Sequence, residues 1–183
     1  MAALIGDIPS PVHAYVGQLQ GLVDQLTAPL LEAHAARLRC RLGCTDCCSD
    51  GLTVFEVEAA QILENVDAAT LSEGPEGGCA LLDSTGACQA YRGRPYVCRT
   101  QGLPLRWGAD GVDGPVEHRD ICPLNEGEPA LEALPADACW TLGPVEQRLA
   151  HAQRQAQSAR GDEEDAPLRR VSLRALVRSV CAG

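Results

Sequence analysis

The chain has few aromatic residues and no lysine. Its 183 residues include one Phe, two Trp and three Tyr, so Leu has to supply most of the core. A core of this kind buries less area per residue than one rich in aromatic side chains. All fifteen basic residues are Arg. The absence of Lys excludes Schiff-base catalysis on a lysine and a phosphate-binding loop of the Walker type.

Long hydrophobic runs are absent as well. No segment approaches the roughly 20 apolar residues that span a bilayer. The N-terminal MAALIGDIPSPVHAYV lacks both the basic start and the continuous apolar stretch of a secretory signal. We therefore expect a cytoplasmic protein with no membrane partner. The net charge of −10 also argues against nucleic acid as a partner.

Cysteine, by contrast, is abundant, with ten residues in the chain. Four of them lie in the segment CRLGCTDCC, which begins at Cys40. In a reducing cytoplasm, clustered thiols are more often metal ligands than disulfides, although the even number of cysteines leaves a disulfide framework open. A small core that is poor in aromatics would gain stability from a metal staple.

The first cysteine group has the spacing Cys40-x3-Cys44-x2-Cys47 and is followed directly by Cys48. Three thiolates in one short loop can bind one zinc or iron ion or part of one iron–sulfur cluster. Adjacent side chains point apart in extended backbone, so Cys47 and Cys48 reach the same metal only through a tight turn and otherwise serve different metals.

A second group of cysteines is spread along the middle of the chain and can fold back onto the first loop. It consists of Cys79, Cys88, Cys98 and Cys122. Together the two groups match the ligand count of two four-thiolate centres, or of one larger cluster with spare ligands. Cys139 and Cys181 stand apart and are predicted to be buried, inert thiols. The histidines lack the spacing of metal ligands.

The segment GGCALLDSTGACQAYRGRPYVCRTQG, residues 77–102, adds a recognisable pattern. A cysteine and a short apolar run precede Gly-x-Cys-x-x-Tyr-x-x-Arg-Pro-x-x-Cys-Arg. The positions that carry it are Cys79, Leu81, Leu82, Gly86, Cys88, Tyr91, Arg94, Pro95, Cys98 and Arg99. With the first cysteine group and Cys122-Pro123, this pattern resembles the YkgJ-like CxxCxxCC cysteine cluster family over residues 38–125.

The resemblance implies a zinc- or iron-chelating domain, although the first spacing here is three residues where the family name has two. The metal would be zinc or iron ions, or an iron–sulfur cluster. The predicted ligands are Cys40, Cys44, Cys47, Cys48, Cys79, Cys88, Cys98 and Cys122. Arg94 and Arg99 can offset thiolate charge and donate hydrogen bonds to sulfur, with a plain surface cation as the alternative for each.

Two enzyme families keep a catalytic function open. The spacing of the first three cysteines is similar to the radical SAM signature, but those enzymes use an α/β barrel of about 200 residues or more. Flagellin lysine N-methylase contains a similar cysteine module, so a protein methyltransferase-like activity is an alternative by analogy. A metal-stapled adaptor with a protein partner is the third hypothesis.

Hydrophobic periodicity and turn residues predict helices at 11–39, about 53–66, about 129–140, 144–160 and about 167–180, with a β-hairpin formed by 103–107 and 115–119. Pro29 is expected to interrupt the first helix. Thr53 and Glu56 predict a capping box for the second. The arginines of the last helix are expected to line a solvent face.

The fold class that follows is mainly α with a small β-hairpin, in a small irregular cysteine-rich domain organised around a metal centre. We expect three parts. They are an N-terminal helical segment packed on the core (1–39), the cysteine-cluster metal-binding domain (40–125), and a C-terminal helical region (126–183) with an acidic linker at 161–165.

Overall fold

The structure, a computed structural model, describes residues 4–112 and 114–182. The helices are α1 (Ser10–Ala33), α2 (Glu56–Glu64), α3 (Tyr96–Thr100), α4 (Pro144–Ala159) and α5 (Leu173–Cys181). The strands are β1 (Thr53–Phe55), β2 (Leu105–Gly111), β3 (Gly114–Asp120), β4 (Trp140–Thr141) and β5 (Arg170–Ser172). Helices predominate over small sheets, as the sequence predicts.

The first helix forms as predicted, but it ends at Ala33 and continues through Pro29. Its apolar residues recur every three or four positions and form one buried face. Leu30, beyond the proline, packs against the same core as the residues before it. Burial on both sides of Pro29 therefore outweighs the hydrogen bond that the proline removes.

Two hydrophobic cores meet at α2, which contributes Val57 to one and Ile62 to the other. The helical core packs α1, α2 and α4 around the Tyr96 and Trp140 rings. The cysteine-side core packs α5 and the β1–β5 pair against residues 79–82. The C-terminal region is therefore divided, because α4 belongs to the helical core and α5 to the cysteine-side core.

The capping box predicted at Thr53 and Glu56 is wrong. Residues 53–55 form β1, which pairs antiparallel with β5, and α2 begins only at Glu56. The Glu58 carboxylate instead accepts a hydrogen bond from the Phe55 N–H at 3.3 Å. A strand forms here because β5 is available as a partner, and a local sequence window does not contain that information.

The β-hairpin is confirmed. β2 and β3 pair antiparallel, with Trp107 opposite His118. The turn-rich tip includes Asp113, which lies outside the described residues. β4 joins the other edge of β2 as a parallel partner, with Leu105 opposite Trp140.

Two C-terminal predictions need correction. The helix predicted at about 129–140 is replaced by two 3-10 turns and β4, because Pro135 cannot supply the N–H that a continuous helix requires. The last helix begins at Leu173 instead of about 167, since residues 170–172 pair with β1. In the described part of the chain, no helix combines the length and the apolar character needed to cross a membrane.

Candidate metal centre

Two cysteine-bearing loops are joined by backbone pairing. The Cys79 N–H donates to the Cys48 carbonyl at 2.8 Å, and Ser49 forms a β-bridge with Gly78. Cys48 follows a tight turn, which its own N–H closes on the Thr45 carbonyl at 2.8 Å. The first and second cysteine groups therefore meet, which a shared centre requires.

Cys88 and Cys98 are positioned by two further local structures. Cys88 forms a β-bridge with Leu82, in the segment that follows Cys79. Cys98 lies in α3, and its N–H donates to the carbonyl of Pro95 at 3.0 Å. The fixed φ of Pro95 suits the start of a helix, and this places Cys98 in its first turn.

Five thiols, each of which lies within electrostatic range of at least two of the others, form what we call the five-thiol cluster. They are Cys47, Cys48, Cys79, Cys88 and Cys98. Cys98 is exposed at the surface, but desolvation by the groups around its sulfur, reinforced by the neighbouring thiols, raises its pKa to about 12. Burial also raises the pKa of Cys79, against the opposing effect of the Arg174 charge. Without a metal these two groups are neutral thiols, so metal binding has to release their protons.

The vicinal pair differs from the other thiols. Cys48 donates its S–H to the Cys47 sulfur, which lowers the pKa of Cys47 to about 6. The same hydrogen bond raises the pKa of Cys48. At neutral pH Cys47 is therefore a thiolate, the form that binds metals. The turn brings the two side chains together instead of letting them point apart.

Cys40 and Cys122 lie around the fully buried Asn125 and not in the five-thiol cluster. The Asn125 side-chain amide donates to the Cys40 sulfur at 3.5 Å and to the Gly102 carbonyl at 2.8 Å. Its backbone N–H donates to the Cys122 carbonyl at 2.7 Å. Gly102 has a φ of +93°, and a Cβ there would lie 2.7 Å from the Cys40 sulfur. Cys44 lies in a separate turn.

The two isolated cysteines differ in exposure. Cys139 is buried as predicted, and burial raises its pKa. The prediction of burial is wrong for Cys181, which is exposed because α5 ends at the surface, with its sulfur 3.4 Å from the Leu71 carbonyl. All ten cysteines are free thiols in this structure.

Arg94 lies near the cluster. Its guanidinium stacks over the Tyr91 ring at 4.3 Å, and it donates to the Tyr91 carbonyl at 2.9 Å. Burial raises the pKa of Cys88, and the charge of Arg94 opposes part of this effect. Its Nη2 also lies 3.4 Å from the Asp24 carboxylate, and the role of offsetting thiolate charge stays a prediction.

Arg99 has a different environment from the one predicted. It is buried, and its hydrogen bonds among the described residues go to oxygen atoms of Asp24, Gln20, Arg92 and Arg94. None of these bonds goes to sulfur. The buried guanidinium pairs with the Asp24 carboxylate and thereby ties α3 to α1, a contact that spacing alone could not reveal.

Sequence reasoning missed Arg174. Its acceptors belong to the loops that follow Cys48 and precede Cys79, and they are Asp50 Oδ1 (2.8 Å), Glu73 Oε1 (2.7 Å) and the carbonyls of Gly74 (3.2 Å), Pro75 (2.9 Å) and Gly78 (2.7 Å). The prediction of a solvent-facing cation is wrong for this residue. An arginine that docks onto a loop and one that faces water look alike in sequence.

An open cleft of about 680 Å³ lies beside the cluster. Cys48 lines it, together with the hydroxyl side chains of Thr45, Ser49 and Ser72 and the glycine-rich segment 74–78. The cleft gives an ion or a small ligand access to Cys48 from solvent.

The chemistry of this donor set fits zinc or iron, because thiolates bind zinc and iron–sulfur clusters well. In residues 4–112 and 114–182, however, no three Cys, His, Asp or Glu side chains already stand in an arrangement that could hold a metal ion. The cluster thus provides suitable donors without a closed coordination geometry, and each ligand assignment stays a prediction.

Comparison with known proteins agrees with the resemblance seen in the sequence. Residues 39–112 match the CxxCxxCC family, which is described as "Putative zinc- or iron-chelating domain". The matched segment contains every predicted ligand except Cys122, and the resemblance is confirmed for this segment. Searches among curated proteins and among solved structures returned no match.

Proposed function

From the match of residues 39–112 to a zinc- or iron-chelating family, we propose that the chain is a metal-binding protein. Its clustered cysteine thiolates would hold zinc or iron ions or an iron–sulfur cluster. The observation that carries the proposal is the pairing of two loops distant in sequence, in which the Cys79 N–H donates to the Cys48 carbonyl.

The five-thiol cluster supplies the main donors. Cys47 is the first ligand available at neutral pH because its pKa is about 6. Cys48, Cys79, Cys88 and Cys98 would lose their protons on binding. Cys40, Cys44 and Cys122 are the next candidates, as the ligands of a larger or second centre. Bound metal would act as a structural staple, or as a redox centre if it is an iron–sulfur cluster.

Anaerobic purification, with analysis of zinc, iron and sulfide and an absorption spectrum, tests the proposal. Iron with sulfide and a brown colour indicates a cluster, and colourless protein with zinc indicates a zinc site. Cys48→Ser and Cys79→Ser should lower the bound metal, whereas the controls Cys139→Ser and Cys181→Ser should not. Wild-type protein without stoichiometric zinc or iron would contradict the proposal.

A second candidate function is an enzyme that uses this centre, such as a protein methyltransferase-like activity. The open cleft beside Cys48 favours it over a metal-stapled adaptor, because a purely structural site is closed and needs no access from solvent. Titration of the cobalt(II)-loaded protein with cyanide distinguishes the two. A spectral change shows an open coordination position, and an unchanged spectrum favours the adaptor.

A further inference from the structure

We propose that Arg174 of α5 is a positioning residue of the metal centre, which holds the Cys48 and Cys79 loops in the relative position that ligation requires. This inference rests on the proposed function. It extends the centre beyond the matched segment 39–112 to the C-terminal helix.

The guanidinium of Arg174 uses all of its donors. Its Nε–H donates to Asp50, its Nη1 to Glu73 and the Gly74 carbonyl, and its Nη2 to the carbonyls of Pro75 and Gly78. An arginine has five N–H donors in a rigid planar fork, and here each has one acceptor. A lysine, with three donors on one nitrogen, could not reproduce this arrangement.

These acceptors lie next to the two cysteines. Asp50 is two residues after Cys48, and Gly78 directly precedes Cys79. The loop of residues 73–78 closes tightly around Cys79, since the Gly74 N–H donates to the Ala80 carbonyl at 2.9 Å. Arg174 therefore connects both loops through its side chain, in addition to their own backbone pairing.

The helix that carries Arg174 is itself firmly anchored. Leu173, Leu176 and Val177 are buried in the cysteine-side core. The Arg174 side chain is only 14 % exposed. The buried face of α5 thus holds the guanidinium in position, and the guanidinium in turn holds the Cys48 and Cys79 loops.

Arg178 provides a matched control on the same helix. It lies one turn further along α5, its one ion-pair partner among the described residues is Glu73, and its side chain is 61 % exposed. Arg178→Gln therefore removes an exposed ion pair from the same loop without touching the Asp50 or Gly78 contacts. An exposed ion pair of this kind contributes little to the stability of the fold.

The first experiment measures thiol accessibility in the metal-free protein. Brief alkylation followed by peptide mass spectrometry should show faster labelling of Cys48 and Cys79 in Arg174→Gln, with Cys139 unchanged as the internal reference. Arg178→Gln should label like the wild type. Equal rates at Cys48 and Cys79 in Arg174→Gln and the wild type would overturn the inference.

The second experiment uses Co²⁺ as the probe and records affinity and the thiolate-to-cobalt charge-transfer bands. Residues that orient metal ligands typically affect affinity by about 10–100-fold, so the Kd of Arg174→Gln should rise within that range and its bands should shift. Arg178→Gln should change neither. Wild-type affinity and bands in Arg174→Gln would contradict the positioning role.

Two further outcomes distinguish failure of the proposed function from failure of the Arg174 variant to fold. If the wild type binds no Co²⁺ while the labelling contrast persists, the proposed function fails but Arg174 still positions the two thiols. If circular dichroism shows that Arg174→Gln does not fold, Asp50→Ala takes its place as the test variant, because it removes one exposed acceptor of the Arg174 guanidinium. It should show the same selective labelling in weaker form, and wild-type labelling would overturn the inference.

Discussion

At the residue scale, the thiols of the five-thiol cluster differ in their readiness to bind a cation. The pKa of Cys47 is lowered because Cys48 donates its S–H to it, whereas desolvation and the neighbouring thiols raise the pKa of Cys98 and keep it protonated. On the proposed function, an incoming cation would meet one thiolate first and would displace protons from the other thiols. Metal affinity should consequently increase with pH.

We expect Cys47 to be the fastest-reacting thiol of the metal-free protein at pH 7. Its rate with iodoacetamide should rise through a midpoint near pH 6, because the thiolate is the reactive form. Peptide mass spectrometry after brief labelling measures this rate. Cys48→Ala removes the S–H donor and should move the midpoint upward, so an unchanged midpoint would contradict the hydrogen bond as its cause.

A second residue-scale prediction concerns Asn125. Its amide accepts from the Arg39 N–H at 2.8 Å and donates to the Gly102 carbonyl, and the residue is fully buried. Asn125→Leu leaves both backbone groups without partners and should lower the free energy of unfolding by about 2–4 kcal/mol. Urea denaturation measures the change. The control Asn65→Leu, at an exposed position, should stay within about 0.5 kcal/mol.

At the scale of elements, one carboxylate connects parts of the helical core that are distant in sequence. Glu56, the first residue of α2, accepts hydrogen bonds from the Gly6 N–H (2.6 Å), from Gln153 of α4 (3.1 Å) and from Arg160 (2.7 Å). Burial opposes ionisation of Glu56, but these bonds outweigh it and hold its pKa below the usual range. The ionised carboxylate therefore stabilises the contact between α2 and α4.

Glu56→Gln should lower the free energy of unfolding by about 3 kcal/mol at pH 7, since it leaves Arg160 without its buried partner. Because the folded-state pKa is depressed, this stabilisation is fully present above the unfolded value of about 4.3 and is lost as the pH falls through the folded pKa. Urea denaturation between pH 7 and pH 3 should show the difference from wild type shrinking at the acid end. The exposed Glu64→Gln is the control, and a pH-independent difference for Glu56→Gln would contradict the ionic contribution.

At the scale of the whole molecule, loss of the proposed metal would affect the two hydrophobic cores unequally. The helical core of α1, α2 and α4 contains none of the predicted ligands. The cysteine-side core contains Cys79, with Leu81 and Leu82 next to it, packed against α5. Metal binding should therefore stabilise the cysteine-side core more than the helical core.

Removal of the metal with a strong chelator should reduce amide-exchange protection in α5 and in residues 79–90, while α1 and α4 keep theirs. Structural zinc contributes apparent binding energies of about 10–16 kcal/mol in small peptides, which is ample to hold a core as small as this one. Hydrogen exchange with peptide-level mass spectrometry measures the pattern. Equal loss of protection in α1 and α4 would show that the metal supports both cores.

The local sequence pattern was sufficient to predict α1, α4 and the hairpin. Each has a hydrophobic period or turn residues that belong to the element itself, so the prediction needs no distant partner. The same holds for the cysteine motifs, whose spacing by itself indicates the family that residues 39–112 match.

Only the tertiary structure decided which segments pair at long range. Thr53–Phe55 forms a strand because β5, near the other end of the chain, pairs with it. Arg99 pairs with Asp24 and Arg174 with Asp50, across distances in sequence that no local window covers. Sequence spacing indicated eight candidate thiols, and only the fold decided which five of them lie together and which arginines contact their loops, because a guanidinium finds its acceptors only when the chain is folded.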